Sequence, residues 1–348
     1  MEWRRMTKAG FGLAVVLASL AACGPGDFRS DVLSAGARPW TAAPQARPDA
    51  FRFAVIGDRT GLARPGVFEQ AMRQIGWLQP DFVLSVGDII EGYSDDAGQV
   101  AAEWNQVDAA IATLGLPFFH VAGNHDYNSP ATVAAWETRH GPAYCSFRYG
   151  DVLFLVLNSE DPPMPMPADM QAQFQQALKG LNADPVAFEK AMHEQLAGAN
   201  AARQKDAEKS AEESPETALN LSRFSDTQVA WVEKTLQDNR DARWTMVLMH
   251  KPGWRVDAGN FARIEAALDG RPHTMIAAHY HYFTHEVRKG HDYYTMGTTG
   301  GIAHQDGPGK MDHIAWFTMT KDGPRLALIR LTGVLDKEGN SGLPANAY

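Results

Sequence analysis

Five short polar clusters stand where apolar runs end in this chain: Gly57-Asp58, Gly87-Asp88, Gly123-Asn124-His125-Asp126, His250 and His279-Tyr280-His281. Carboxylate, amide oxygen and imidazole are ligand types for hard or borderline cations, and no cysteine stands among them. Mn²⁺, Fe, Zn²⁺ and Mg²⁺ all suit such a set. Two ions about 3.5–4 Å apart need an anionic oxygen between them, and the carboxylate of Asp88 is the natural bridge. The chemistry this points to is hydrolysis at a two-metal site. Each cluster alone has a plainer meaning. Gly-Asp is a common turn, Gly and Asn tolerate positive φ, and alternate histidines on a strand line one polar face. Five clusters in series, each closing an apolar run, outweigh those readings.

The runs that lead into them, residues 53–56, 82–86, 118–122, 244–249 and 275–278, are short and rich in β-branched or aromatic side chains. That composition predicts buried strands. Residues at the C-terminal ends of such strands collect along one sheet edge, where loops converge on a common pocket. Further strands are expected over 144–148, with Cys145 as buried packing, and over 152–157, and a helix is expected to start near Ser225.

The ordered set of Gly-Asn-His-Asp and a late His-x-His resembles the calcineurin-like metallophosphoesterase superfamily, from about Phe51 to about Leu335. The resemblance implies an α/β fold, a four-layer αββα sandwich with two facing mixed β-sheets. It implies two divalent or trivalent ions, with Asp58, Asp88 and His281 on the first and Asp88, Asn124, His250 and His279 on the second. His125 would donate to the phosphate or protonate the leaving group, with Asp126 orienting its ring. The nucleophile would be metal-activated hydroxide.

The chain departs from the family's usual Asp-x-His with Asp58-Arg59-Thr60. A neutral threonine hydroxyl is a poor substitute for imidazole. Glu91 stands three residues after Asp88, a spacing at which the related purple acid phosphatases carry a tyrosine ligand; the plainer reading, a loop acid near a positive centre, is preferred. Arg59 has two open readings, a bidentate grip on a phosphate oxygen or pairing with a carboxylate. Lys251 reads as a surface lysine. Tyr127, Tyr282 and His285 flank the clusters as wall or packing residues. The glycines of 297–301 point to close backbone approach, and His304 and Asp312-His313 read as structural.

With 45% hydrophobic and 21% charged residues, the chain can build one large core. A net charge of −9 with no basic cluster argues against a nucleic-acid partner and favours small phosphorylated substrates. Monoester, diester and pyrophosphate hydrolysis all fit, and the reading from a different class is a metal- or phosphate-binding lipoprotein that does not turn over. Residues 51–335 read as the catalytic domain, with an insertion over 160–223 that opens Pro-rich and continues with helix formers. That insertion is either a helical lid or a solvated loop. Residues 336–348 read as a tail.

Residues 1–22 have the form of a signal peptide: Arg4, Arg5 and Lys8 precede an apolar stretch over 11–20, too short to span a bilayer. Leu20-Ala-Ala-Cys23 resembles a bacterial lipobox, which implies lipidation of Cys23, and Gly24 in the next position points to the outer membrane facing the periplasm. Residues 23–50, rich in Pro, Ala, Gly and Arg, read as a flexible tether. With Cys23 acylated, Cys145 has no partner for an intramolecular disulfide. Multiple acyl chains bind a membrane far more strongly than one. The full chain is therefore expected in the membrane fraction and Cys23→Ser in the soluble fraction; equal partition of the two on fractionation contradicts the anchor.

Overall fold

The computed structural model describes residues 50–192, 194–195, 219–303 and 307–342. Residues 1–49, where a signal peptide, the lipidated Cys23 and most of a tether are expected, lie outside the described residues, as do the central part of the insertion and His304.

The first sheet has the order β11 (Gly323–Arg330), β10 (His313–Thr320), β1 (Phe51–Ile56), β2 (Phe82–Ser85), β3 (Phe118–Phe119). The second has the order β4 (Cys145–Tyr149), β5 (Val152–Val156), β6 (Trp244–Leu248), β7 (His273–Ala277), β9 (His291–Thr295), β8 (Thr284–Arg288). Both are mixed. β1, β2 and β3 run parallel, as do β5, β6, β7 and β9, while β10, β11, β4 and β8 pair antiparallel with their neighbours.

Strand alternation divides the core into layers. Phe53 and Val55 of β1 meet Val152, Phe154 and Val156 of β5 between the two sheets. The intervening Ala54 and Ile56 face the opposite way, against α1 (Val67–Leu78), α2 (Ala97–Ala112) and α3 (Pro130–His140). On the far side Leu153 and Leu155 pack against two helices later in the chain, Asp226–Asp238 and Phe261–Ala267. Helices, sheet, sheet and helices thus form the expected four layers.

The helices start where local chemistry dictates. Ser129 caps α3 with Pro130 in its first turn and a reciprocal Ser129–Thr132 capping box. Asp96 caps α2 by accepting from the amides of Gly98 and Gln99. In the insertion, α4 (Ala168–Ala183) is followed by helical residues 185–192. Their apolar side chains Phe174, Leu178, Leu181 and Phe188 cluster with Leu62 and Ile302 of the main body. The later helices are α5 (Asp226–Asp238), capped by Ser225, and α6 (Phe261–Ala267).

Two local expectations fail. β3 stops at Phe119 and does not continue to 122, because the Val121 amide donates to the Ser85 hydroxyl at 3.1 Å in place of a ladder carbonyl. Cys145 is exposed, not buried packing, because it lies on the outermost strand of its sheet.

Phe154 ties the sheets together: its ring lies 5.4 Å from Phe53, 5.5 Å from Phe82 and 4.6 Å from Phe147, and it is fully buried. Phe154→Ala should lower unfolding free energy by about 3–5 kcal/mol in urea denaturation. A loss under about 1 kcal/mol would show that the inter-sheet layer does not depend on it.

Candidate metal centre

The polar clusters occupy the C-terminal ends of their strands: Asp58 after β1, Asp88 after β2, Asn124 after β3, His250 after β6, and His279 and His281 after β7. The loops pack so closely that a Cβ on Gly123 would lie 2.2 Å from Asp88 Oδ1. Only glycine fits between Asn124 and its own strand there. The segment over 297–301 also comes close, as its glycines implied: the amide of Gly301 donates to the Asp58 carbonyl at 2.9 Å.

Four of the six residues hold left-handed backbone: Asp58 at φ 49°, Asp88 at 55°, His279 at 77° and His281 at 52°. Such angles cost about 1–3 kcal/mol each for non-glycine residues and persist where the surroundings over-determine them. Here they swing ligand-type side chains off strand ends toward one point.

Two groups of donor atoms result, Asp88 with His250 and His279, and Asp58 with Asp88 and His281, each with all its atoms within 4.8 Å of one another. Asp88 belongs to both. In the first group, His250 Nε2 lies 3.1 Å from Asp88 Oδ2, 3.0 Å from Asn124 Oδ1 and 3.3 Å from His279 Nδ1. In the second, His281 Nε2 lies 3.7 Å from Asp58 Oδ1. The His250 and His281 rings are oriented by backbone carbonyls, Val86 O at 2.9 Å from His250 Nδ1 and Ile302 O at 2.6 Å from His281 Nδ1. A neutral ring bound so keeps its proton on Nδ1 and turns the Nε2 lone pair inward. Lone pairs facing lone pairs, on residues that are buried except for the half-buried His279, are stable only around positive charge. The donor set therefore fits a pair of cations.

Charge distribution agrees. Burial opposes ionisation of Asp88, yet His250 and His125 hold its carboxyl well below the usual range. Burial pulls His250 down, but the Asp88 carboxylate outweighs it and raises the ring to about 9. Burial and the neighbouring His250 keep His279 well below its ordinary value, and burial pushes the Asp58 carboxyl up. These shifts are those of donor groups crowded about a position suited to positive charge.

Asp126 does not orient His125. Its carboxylate accepts four backbone amides, from Asp88 at 2.8 Å, Ile89 at 2.9 Å, Ile90 at 3.0 Å and Gly123 at 3.0 Å. Burial and Asp88 raise it to about 6, which leaves it an ionised acceptor at neutral pH. The His125 ring is set by the Glu91 carbonyl, 2.6 Å from Nδ1, with Nε2 3.9 Å from Asp88 Oδ2. Tyr93 and Phe174 cover the ring at centroid distances of 4.3 and 5.3 Å.

Other expected residues fall elsewhere. The Glu91 carboxylate accepts from the amides of Leu62 and Ala63 and belongs to neither donor group. Thr60 is fully buried and its hydroxyl has no hydrogen-bond partner, as is true of Arg59 Nε beside it. Arg59 donates to the Ile89 carbonyl at 3.0 Å and lies over Phe68. It lines a cavity of about 410 Å³ with Phe68, Glu91, Glu103, Gln175 and Lys179, apart from both donor groups. This placement favours neither phosphate grip nor carboxylate pairing. His313 is fully buried at the start of β10, and His285 pairs with Asp292 at the surface.

Lys251 is a correction: it is buried, not a surface lysine, and its Nζ lies 2.8 Å from Glu160 Oε2, which Arg223 also binds at 2.9 Å. Two further residues support the site and were missed in the sequence: Tyr93, whose hydroxyl accepts from Asn124 Nδ2 at 2.6 Å, and Asn128, whose amide donates to the Asn124 and His125 carbonyls. Both stand close in sequence to the clusters, the signal available, but nothing in composition separates them from ordinary loop residues.

The model of the calcineurin-like phosphoesterase family matches residues 51–283. Human serine/threonine-protein phosphatase CPPED1 is 36% identical over 120 residues, 31% of this chain and 37% of that one. The bovine protein of that name is 32% identical over 99 residues, 26% and 31% of the two chains. The matched stretches thus span about a third of these relatives. A dimetal phosphatase from Danio rerio has the same fold at a TM-score of 0.55 and 13% identity, over 80% of this chain and 96% of that one. With the strand-end clusters in family order and the family model covering most of the described domain, the chain belongs to the calcineurin-like phosphoesterase family.

Proposed function

We propose that the protein is a metal-dependent phosphoester hydrolase acting on a small phosphorylated substrate, tethered at a bacterial envelope through Cys23. The observation that carries the catalytic reading is the pair of donor groups sharing the buried Asp88. Asp58, Asp88 and His281 would hold one ion, and Asp88, Asn124, His250 and His279 the other, with the Thr60 hydroxyl beside the first. When bound, the ions supply Lewis-acid polarisation of the ester and lower the pKa of water.

The chain's own residues do the rest. Because His125 Nδ1 keeps its proton on the Glu91 carbonyl, the ring takes up and gives protons through Nε2, the nitrogen facing Asp88. In the imidazolium form Nε2 also carries a proton and can donate it to a phosphate oxygen or to the departing alkoxide. Tyr93 and Phe174 exclude water from the ring faces. Since Phe174 belongs to α4, the insertion forms one wall over the reacting edge and restricts the size of the ester admitted. The net charge of −9 leaves attraction of an anionic substrate to the metal pair.

Purified protein should retain two ions per chain and hydrolyse p-nitrophenyl phosphate or its bis-ester. Asp88→Asn should lose bound metal and turnover while the chain stays folded by circular dichroism. His125→Ala should retain both ions and lose about 10²–10⁴-fold in kcat. Metal-replete wild-type protein without activity on monoesters, diesters or pyrophosphate would favour a binding lipoprotein, and loss of both ions from His125→Ala would overturn its assigned role.

A further inference from the structure

The His279 ring is held differently from the other three rings of the site. His125, His250 and His281 each turn Nδ1 to a backbone carbonyl and present Nε2. His279 does the reverse: Nδ1 faces the donor group, 3.3 Å from His250 Nε2, and Nε2 faces outward, 3.3 Å from the side-chain oxygen of Asn220. A neutral imidazole has one N–H. An acceptor at Nε2 places the proton there and leaves the Nδ1 lone pair for a cation.

Asn220 is an exposed residue of the insertion, far in sequence from every cluster, yet the backbone around it is clamped. Lys251 Nζ donates to the carbonyls of Leu219 at 2.6 Å and Leu221 at 3.5 Å. The same ammonium pairs with buried Glu160, which also holds Arg223. The amide of Ser222 donates to Val256 at 2.7 Å and that of Arg223 to Ser159 at 2.8 Å. Lys251 directly follows the ligand-type His250. One buried cation thus fixes the segment that carries Asn220 to the strand end that carries His250.

We propose that Asn220 is a positioning residue: it fixes His279 in the tautomer that binds metal through Nδ1, so that cation affinity depends on the seated insertion. This rests on the reading of the site as a metal pair. Outer partners of ligating histidines typically contribute about 10–100-fold in metal affinity or activity. The insertion therefore does more than cover the pocket; its C-terminal end completes the support of one ligand.

The test is titration of Mn²⁺ into chelator-stripped wild type, Asn220→Ala and Asn220→Asp, followed by calorimetry, with melting temperature of the stripped proteins as a folding control. Asn220→Ala should weaken one of the two binding steps about 10–100-fold with an unchanged metal-free melting temperature. Asn220→Asp, which keeps the acceptor, should bind as wild type does. Excess Mn²⁺ should restore the Asn220→Ala rate on p-nitrophenyl phosphate with KM unchanged. Superimposable wild-type and Asn220→Ala titrations, or an Asn220→Asp as weak as Asn220→Ala, would overturn the role of Asn220 alone. A wild type that binds fewer than two ions would overturn the underlying metal reading instead.

Discussion

The constraint on which the site depends is one buried carboxylate that organises backbone and belongs to neither donor group. Asp126 gathers the amides of Asp88, Ile89, Ile90 and Gly123. Those four donors come from two loops that follow neighbouring parallel strands, and without a common acceptor they would be unpaired in a dry interior. With it, the two loops lie face to face at a separation only glycine allows at position 123. Asp88 and Asn124 are then aimed at the same point. The left-handed backbone at Asp88 is held by the same amide bond to Asp126.

A second consequence is electrostatic. Two carboxylates and three imidazoles are packed together with their lone pairs converging, an arrangement that no hydrogen-bond network among themselves can satisfy. His250 and His125 hold the Asp88 carboxyl low against its burial, and Asp88 raises His250 to about 9, in keeping with a position suited to positive charge. Burial keeps His279 neutral, the form an imidazole ligand requires. The strained loops and the crowded donor atoms have the same origin, tertiary packing that brings the ligand-type residues to one point.

The insertion contributes at two edges of the site. Through α4 it places Phe174 over His125 and joins an apolar cluster with Leu62 and Ile302. Through 219–223 it returns to the body beside β6 by way of Lys251, Glu160 and Arg223. A buried ion triad contributes little net stability against an apolar substitute, but removing one member leaves an uncompensated charge, so the triad enforces a unique seat. Specific placement is what a segment touching both His125 and His279 needs.

The strand ends and the ligand-type residues that close them were legible in the sequence, because short buried strands have a strong local signature and chemically distinctive residues follow each one, while the sandwich came from the family resemblance that those clusters carry. Even the close approach of 297–301 was legible from its glycines. What the sequence left undecided was where side chains of ambiguous chemistry go. Lys251 reads as a surface residue because a lone lysine is usually solvated; only the tertiary structure brings Glu160 and two carbonyls to it across the insertion. Glu91 and Asp126 both read as candidates near the reacting groups, and tertiary packing turned both toward backbone amides, since loops pressed into a core must pair their N–H groups before anything else. Asn220 carries no local signal, because its meaning lies entirely in a contact 59 positions away with His279. Local patterning fixes which residues stand at strand ends, and long-range packing decides which nitrogen or oxygen each one presents.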